Sequence, residues 1–249
     1  MNIVQTFSEW VRLGEAADWG ELVRNRGGFQ SEFTRLVSSC PQISGRVLDI
    51  GCGGNLPAAL AGLAPRLGTL DGVDPDPAVQ AHPLLQQRWH ARFEAAGIAD
   101  DTYDLAYAYN VLEHLADPHP FFQQVHRVLK PGGVFWALTP NMRHPFAFLS
   151  RAIEVIGLKG VARRKMGCAG SGAMRVNDYP AYYRCNSPRA VLRAIRGLGF
   201  SRATFYFHPC LQWDTYFPRC LRWAPRAYDF VIGTRIASCM QIFMMRLDK

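Results

Sequence analysis

The sequence predicts an α/β fold, a doubly wound, seven-stranded, mostly parallel sheet that carries an inserted cap region. Short apolar runs rich in Val, Ile, Leu and Tyr alternate with segments of helical spacing, as parallel strands joined by helices do. The alternation breaks after Pro140 and Asn141, in a stretch rich in Gly, Arg and Tyr with no clean period, as expected of an insertion over the sheet. The length, 249 residues, suits one large domain or a domain with a sizeable insertion.

Residues 1–45 read as an N-terminal helical segment. Trp10, Leu13, Trp19, Leu22 and Val23 fall at helical spacing, and Gly27 and Gly28 divide the segment into two helices. The core, 46–141, opens with a short buried strand at 46–50. A helix at 57–63 and strands at 69–73, 88–93 and 103–109 follow, then a helix at 118–129 and a strand at 133–138. Residues 142–186 form the expected cap. At 187–199 helical spacing returns, with Ser187 as N-cap, Pro188 at the first helical position and Gly199 as the stop. Strands at 203–207 and 240–245 complete the sheet, so 187–249 is the C-terminal part of the core. Within it, 208–238 is too long for an ordinary loop. It interleaves Trp213, Tyr216, Phe217, Trp223 and Tyr228 with Arg219, Arg222, Arg226 and Arg235.

Hydrophobic residues at 49% and charged residues at 19% are ordinary for a globular enzyme. The seven cysteines are scattered and none forms a C-x-x-C pair, which argues for reduced thiols in a cytoplasmic protein and against a disulfide framework or structural zinc. No signal-peptide pattern and no run of 18 apolar residues occurs. The net charge of +8 is uneven: 1–142 carries −5 and 143–235 carries +12. Such asymmetry points to an anionic partner for the basic half, or to a solvated Arg-rich surface.

The most informative stretch is Val47-Leu48-Asp49-Ile50-Gly51-Cys52-Gly53-Gly54-Asn55. A buried strand ends there in a glycine turn, at the carboxyl edge where α/β sheets bind ligands. Glycines at 51 and 53 permit a sharp turn and close approach of a ligand to the backbone. Asp74, at the end of the second core strand, can accept hydrogen bonds from the hydroxyls of a ribose. A dinucleotide fingerprint would require a third glycine at position 56, where this chain has Leu56. A nucleoside without a pyrophosphate suits the turn better.

These residues carry a resemblance. Leu48-Asp49-Ile50-Gly51-Cys52-Gly53 is similar to motif I of the class I S-adenosylmethionine-dependent methyltransferases (type 11/23-like). Gly72-Val73-Asp74-Pro75-Asp76 resembles the acidic end of their second strand. Tyr103-Asp104-Leu105-Ala106 with Asn110-Val111-Leu112-Glu113-His114-Leu115 resembles their fourth strand and the turn after it, and Arg127-Val128-Leu129-Lys130-Pro131-Gly132-Gly133 the signature before the fifth. Four motifs in order cover about 46–141. The resemblance implies a Rossmann-like methyltransferase fold and S-adenosyl-L-methionine as cofactor. It implies that Asp49 and the backbone of Gly51, Cys52 and Gly53 border the methionine part, with Asp74 and Pro75 at the ribose. Glu94 and Ala95 would lie near the adenine, and Asn110 and Leu112 at the methyl-bearing end. Asn55 stands where the family has glycine, and Asn tolerates left-handed geometry. For Asp104 a turn carboxylate is favoured over a catalytic one.

Methyl transfer to a hydroxyl needs a base, and histidine titrates near neutrality. His114, beside the cofactor motif, and His144, opening the insertion, are the candidate catalytic residues. In the ubiquinone-biosynthesis O-methyltransferases, which the run 110–114 also resembles, two glutamates and a histidine can bind a metal. Here Asn110 replaces the first of them, so no metal site is expected and Glu113 is read as a capping or packing residue. Tyr182, Tyr183 and Arg184 are the candidate acceptor-pocket residues. The expected activity is O-methylation of a small-molecule, lipid, natural-product or polysaccharide-pathway acceptor in biosynthesis. A nicotinamide-dependent oxidoreductase and a catalytically silent binding protein are the alternatives. The expected partner is an acceptor of anionic or carrier-bound kind, with peripheral membrane contact from the basic half. Nucleic acid is disfavoured because no motif for it accompanies the charge.

Overall fold

The computed structural model describes residues 11–13, 28–145, 147–148, 179–208, 219–235 and 239–249. Among these, eight strands form one sheet: β1 (Val11–Leu13), β2 (Arg46–Ile50), β3 (Thr69–Asp74), β4 (Arg88–His90), β5 (Tyr103–Tyr109), β6 (Leu129–Pro140), β7 (Arg202–His208) and β8 (Ile242–Asp248). Their order is β1-β7-β8-β6-β5-β2-β3-β4. Pairing is parallel except at β8, which runs antiparallel to β6 and to β7. The helices are α1 (Phe29–Ser38), α2 (Pro118–Val128), α3 (Pro188–Ala194) and α4 (Trp223–Arg235).

Side-chain alternation explains why the sheet is covered on both faces. Along β2, Val47 belongs to one buried cluster and Leu48 to the other; along β5, Leu105 and Tyr107 alternate with Ala106 and Ala108 in the same way. On the first face lie Phe33, Leu36 and Val37 of α1 with Leu60 and Leu63. The second face receives Phe121, Phe122, Val125 and Val128 of α2, with Val191 and Leu192 of α3. Each such side chain, fully buried, contributes about 1.5–3 kcal/mol.

Four expectations are corrected. The N-terminal segment is not wholly helical: Val11–Leu13 is an eighth strand, parallel to Ala203, Thr204 and Phe205 of β7. Backbone pairing with an otherwise open sheet edge outweighs a three-residue helical spacing. The helix expected at 57–63 is of the 3₁₀ kind and runs on to Arg66, as Ala58–Arg66, with Pro65 inside its last turn. The strand expected at 88–93 stops at His90, since Phe93 turns inward in a 3₁₀ turn and meets Phe121 edge-on at 5.3 Å. Helix α3 ends at Ala194, ahead of the left-handed glycines Gly197 (φ 80°) and Gly199 (φ 93°), while its cap is as expected: Ser187 Oγ accepts from the Ala190 N–H at 3.4 Å. Of the expected cap, 149–178 lies outside the described residues. So do Trp10, Trp19, Leu22, Val23, Trp213, Tyr216 and Phe217.

Asp104 sits at the amino end of β5, away from the glycine turn. It accepts from the Arg46 N–H at 2.8 Å and from Lys130 Nζ at 2.9 and 2.8 Å. Burial works against its charge, but Lys130 and the Arg46 N–H hold its carboxyl below the ordinary value. Its work is to join the starts of β2, β5 and β6.

Candidate functional site

The carboxyl ends of β2, β3, β5 and β6 gather the candidate residues along one edge. After β2 the chain reverses through Gly51 (φ 80°) and Gly53 (φ 57°), and the Gly51 N–H donates to Val73 O at 2.8 Å. A Cβ on Gly51 would overlap the Val111 side chain, so this position needs glycine for space as well as for its φ. Gly53 differs: a Cβ there would meet nothing of the chain within 4 Å, leaving open space beside the turn.

Asp74 closes the turn from the tip of β3. Its Oδ2 accepts from the Gly53 N–H at 2.8 Å and its Oδ1 from the Asp76 N–H at 2.7 Å. Burial raises its pKa, which these two N–H groups oppose. Asp49 is buried deeper, 3% exposed, and its Oδ2 accepts from Tyr107 OH at 2.7 Å. Burial pushes its carboxyl up to about 7, and the nearby charge of Asp74 adds to the rise while Tyr107 opposes it. Cys52 is buried too, and burial raises its thiol far above the usual value. Pro75 is exposed, and its carbonyl accepts from His90 Nε2 at 3.0 Å. Glu94 is half-buried and Ala95 exposed, on the turn that follows β4.

After β5, Asn110 takes left-handed geometry (φ 56°), is exposed, and donates its N–H to Leu138 O at 2.9 Å. Leu112 is fully buried among the residues of the second face, so its side chain points into the core and presents no surface to a ligand. His114 is half-buried. Its Nδ1 lies 3.1 Å from Pro180 O. A carbonyl only accepts, so Nδ1 carries a proton, and in the neutral ring Nε2 then keeps the lone pair.

The segment 179–187 is sewn onto this turn. The N–H groups of Tyr182 and Tyr183 both donate to Glu113 O, at 2.7 and 3.0 Å, and Cys185 Sγ donates to Leu112 O at 3.4 Å. Underneath, Thr139 Oγ1 donates to Glu113 Oε2 at 2.9 Å, while Asn186 Nδ2 reaches Thr139 Oγ1 and Pro140 O. Burial raises the Glu113 carboxyl, which therefore packs as a hydrogen-bonded internal group. Tyr183 takes φ 53°, and the Arg184 guanidinium lies over the Tyr182 ring at 5.9 Å. His144, fully buried after β6, meets the Tyr228 ring edge-on at 5.1 Å. Thr139, Asn186 and Tyr107 were not foreseen. The alternation in β5 put Tyr107 on a buried face, but nothing in the sequence signalled that its hydroxyl would meet Asp49.

Residues 48–137 match the family model of a methyltransferase domain. Over these residues, just over a third of its length, the chain is similar to a methyltransferase domain. A ubiquinone biosynthesis O-methyltransferase of Cereibacter sphaeroides is 33% identical over 144 residues, covering 53% of this chain and 55% of that protein. The protein of the same name from Dinoroseobacter shibae is 34% identical over 143 residues, with the same coverage. The chain thus spans about half the length of the curated relatives it matches. Among solved structures, a SAM-dependent methyltransferase from Archaeoglobus fulgidus superposes with a TM-score of 0.54 at 17% identity, over 93% of this chain and 100% of that one. That likeness shows the fold.

Proposed function

We propose that the chain methylates a hydroxyl oxygen of a small acceptor, and that the acceptor meets the cofactor where segment 179–187 is joined to the turn after β5. One observation carries the reading. The left-handed glycine turn, held by Asp74 at the tip of β3, leaves open space at Gly53 at the same sheet edge as His114. The residues fit the cofactor. Gly53 offers room against the backbone, Asp74 and Asp49 supply carboxylates toward a cationic nucleoside, and Glu94 and Ala95 follow the neighbouring strand. The fit is poorer for a nicotinamide dinucleotide, because the segment after the turn is 3₁₀ rather than an α-helix whose N-terminus would take a pyrophosphate.

S-adenosylmethionine supplies an electrophilic methyl on a sulfonium. In this reading the chain's own residues align the acceptor and take its proton. The hydroxyl proton passes to His114 Nε2, whose free lone pair follows from the Nδ1–H bond to Pro180 O. Tyr182, Tyr183 and Arg184 line the acceptor side. Alignment of this kind contributes about 7–11 kcal/mol to a displacement. The relatives' name, ubiquinone biosynthesis O-methyltransferase, favours a hydroxyl on an amphiphilic biosynthetic intermediate.

The test is transfer of labelled methyl to a panel of phenolic and prenylated hydroxyl acceptors. His114→Ala should lower kcat about 10²–10⁴-fold, as expected for loss of a general base. Cofactor affinity should stay unchanged. Products labelled only on nitrogen or carbon, or a His114→Ala enzyme with full kcat, would overturn the proposal.

A further inference from the structure

Helix α4 presents its apolar stripe outward. Pro225 is buried and Tyr228 half-buried, three residues apart, and Tyr228 is the residue that meets His144. Trp223, Ala227, Phe230 and Val231 fall at i, i+4, i+7 and i+8, on the opposite face. All four are exposed, Trp223 by 68% and Phe230 by 56%. Leu221, in the 3₁₀ turn just before the helix, is exposed by 48%. Phe148, whose N–H donates to His144 O, is exposed by 67%. Among the described residues, five of the seven exposed large apolar side chains belong to this neighbourhood, so the exposure is concentrated rather than scattered.

The same stretch is basic. Residues 219–235 carry four arginines and one aspartate, within the +12 of 143–235. Charge decides what covers the stripe. A second copy packed face to face would set net positive charge against net positive charge. An anionic bilayer surface satisfies both features, because its interface takes up aromatic and aliphatic side chains while its phosphates attract arginine.

We propose that α4 and the turn before it dock flat on an anionic membrane surface, with Trp223, Leu221, Phe230 and Val231 entering the interface. Among the described residues no helix is long and apolar enough to cross a membrane. His144 ties the inward face of α4 to the carboxyl end of β6, the sheet edge that also carries the candidate site.

Vesicle co-sedimentation with the intact chain tests this, comparing phosphatidylcholine alone with phosphatidylcholine containing phosphatidylglycerol. Binding should occur to the anionic vesicles only, and should fall as salt rises from about 0.1 M to about 0.5 M. The double variant Trp223→Ser, Phe230→Ser should bind roughly tenfold more weakly or worse. Its thermal transition and cofactor affinity, measured alongside, should show a folded chain that still binds the cofactor, since both side chains are mostly exposed. A second variant, Arg222→Gln with Arg226→Gln, should weaken anionic binding with the apolar stripe intact. Four outcomes would overturn the proposal: equal binding to neutral vesicles, no binding to either kind, full binding by the serine variant, or a dimer in sedimentation velocity that the serine variant abolishes.

Discussion

The buried pair of Asp49 and Tyr107 makes stability depend on pH in a way that one substitution should amplify. An ordinary aspartate titrates at 3.8, and burial lifts Asp49 to about 7. Between those values the folded chain holds a proton that the unfolded chain has lost. Stability contributed by this group is therefore full below about 4, declines as pH rises toward 7, and is level above it. At 1.4 kcal/mol per factor of ten, the decline is about 4 kcal/mol. Tyr107 limits it by donating to Oδ2 at 2.7 Å. Removing that hydroxyl in Tyr107→Phe deletes a neutral hydrogen bond near pH 5, costing about 0.5–1.5 kcal/mol, but a charge-assisted one near pH 8, costing about 1.5–3 kcal/mol. Urea unfolding near both pH values, with the midpoint read at constant m, measures the difference. Asp49→Asn provides the control, since an amide does not titrate and the slope between pH 4 and 7 should flatten. Equal penalties for Tyr107→Phe at the two pH values, or an unchanged slope in Asp49→Asn, would refute the reasoning.

Three further outcomes are expected. Asp74→Ala removes the acceptor for two backbone N–H groups, so it should lower stability by about 2–5 kcal/mol in urea melts as well as weaken cofactor binding in calorimetry. Gly51→Ala, which overlaps Val111 and strains the turn, should destabilise the fold itself by about 1–3 kcal/mol. Gly53→Val should also cost stability, because a φ of 57° strains a β-branched residue, and should fail to bind the cofactor, because its Cβ enters space empty of protein atoms. Affinity for S-adenosylmethionine should rise between pH 6 and 8 as Asp49 ionises toward a cationic ligand. A flat calorimetric profile would show that its charge does not reach the site.

The sequence made β2 and β5 legible to the residue, because a run buried on both faces and bounded by polar turns leaves little choice of ends. It also identified the glycine turn, where left-handed geometry can be read from residue type. The eighth strand was hidden because its partner, β7, lies roughly 190 residues away and only three residues pair. The bonds between 111–114 and 179–187 were not legible, since they join backbone groups about 70 residues apart and backbone donors carry no sequence signature. Glu113 was read as a capping or packing residue, and its burial against Thr139 gives that reading its physical form.

The seam between Glu113 and the two tyrosines has a consequence for changing this protein. Tyr182 and Tyr183 hang by their amides from the carbonyl of a residue whose neighbours border the glycine turn. On the proposed function, acceptor choice and cofactor grip therefore share a hinge. Substitutions that shift the backbone at 182–183 should register in both, and pairs made across the seam should depart from additivity. Exchange of side chains alone, with the two amides left in place, is the route by which the acceptor pocket can diverge while the cofactor edge stays fixed.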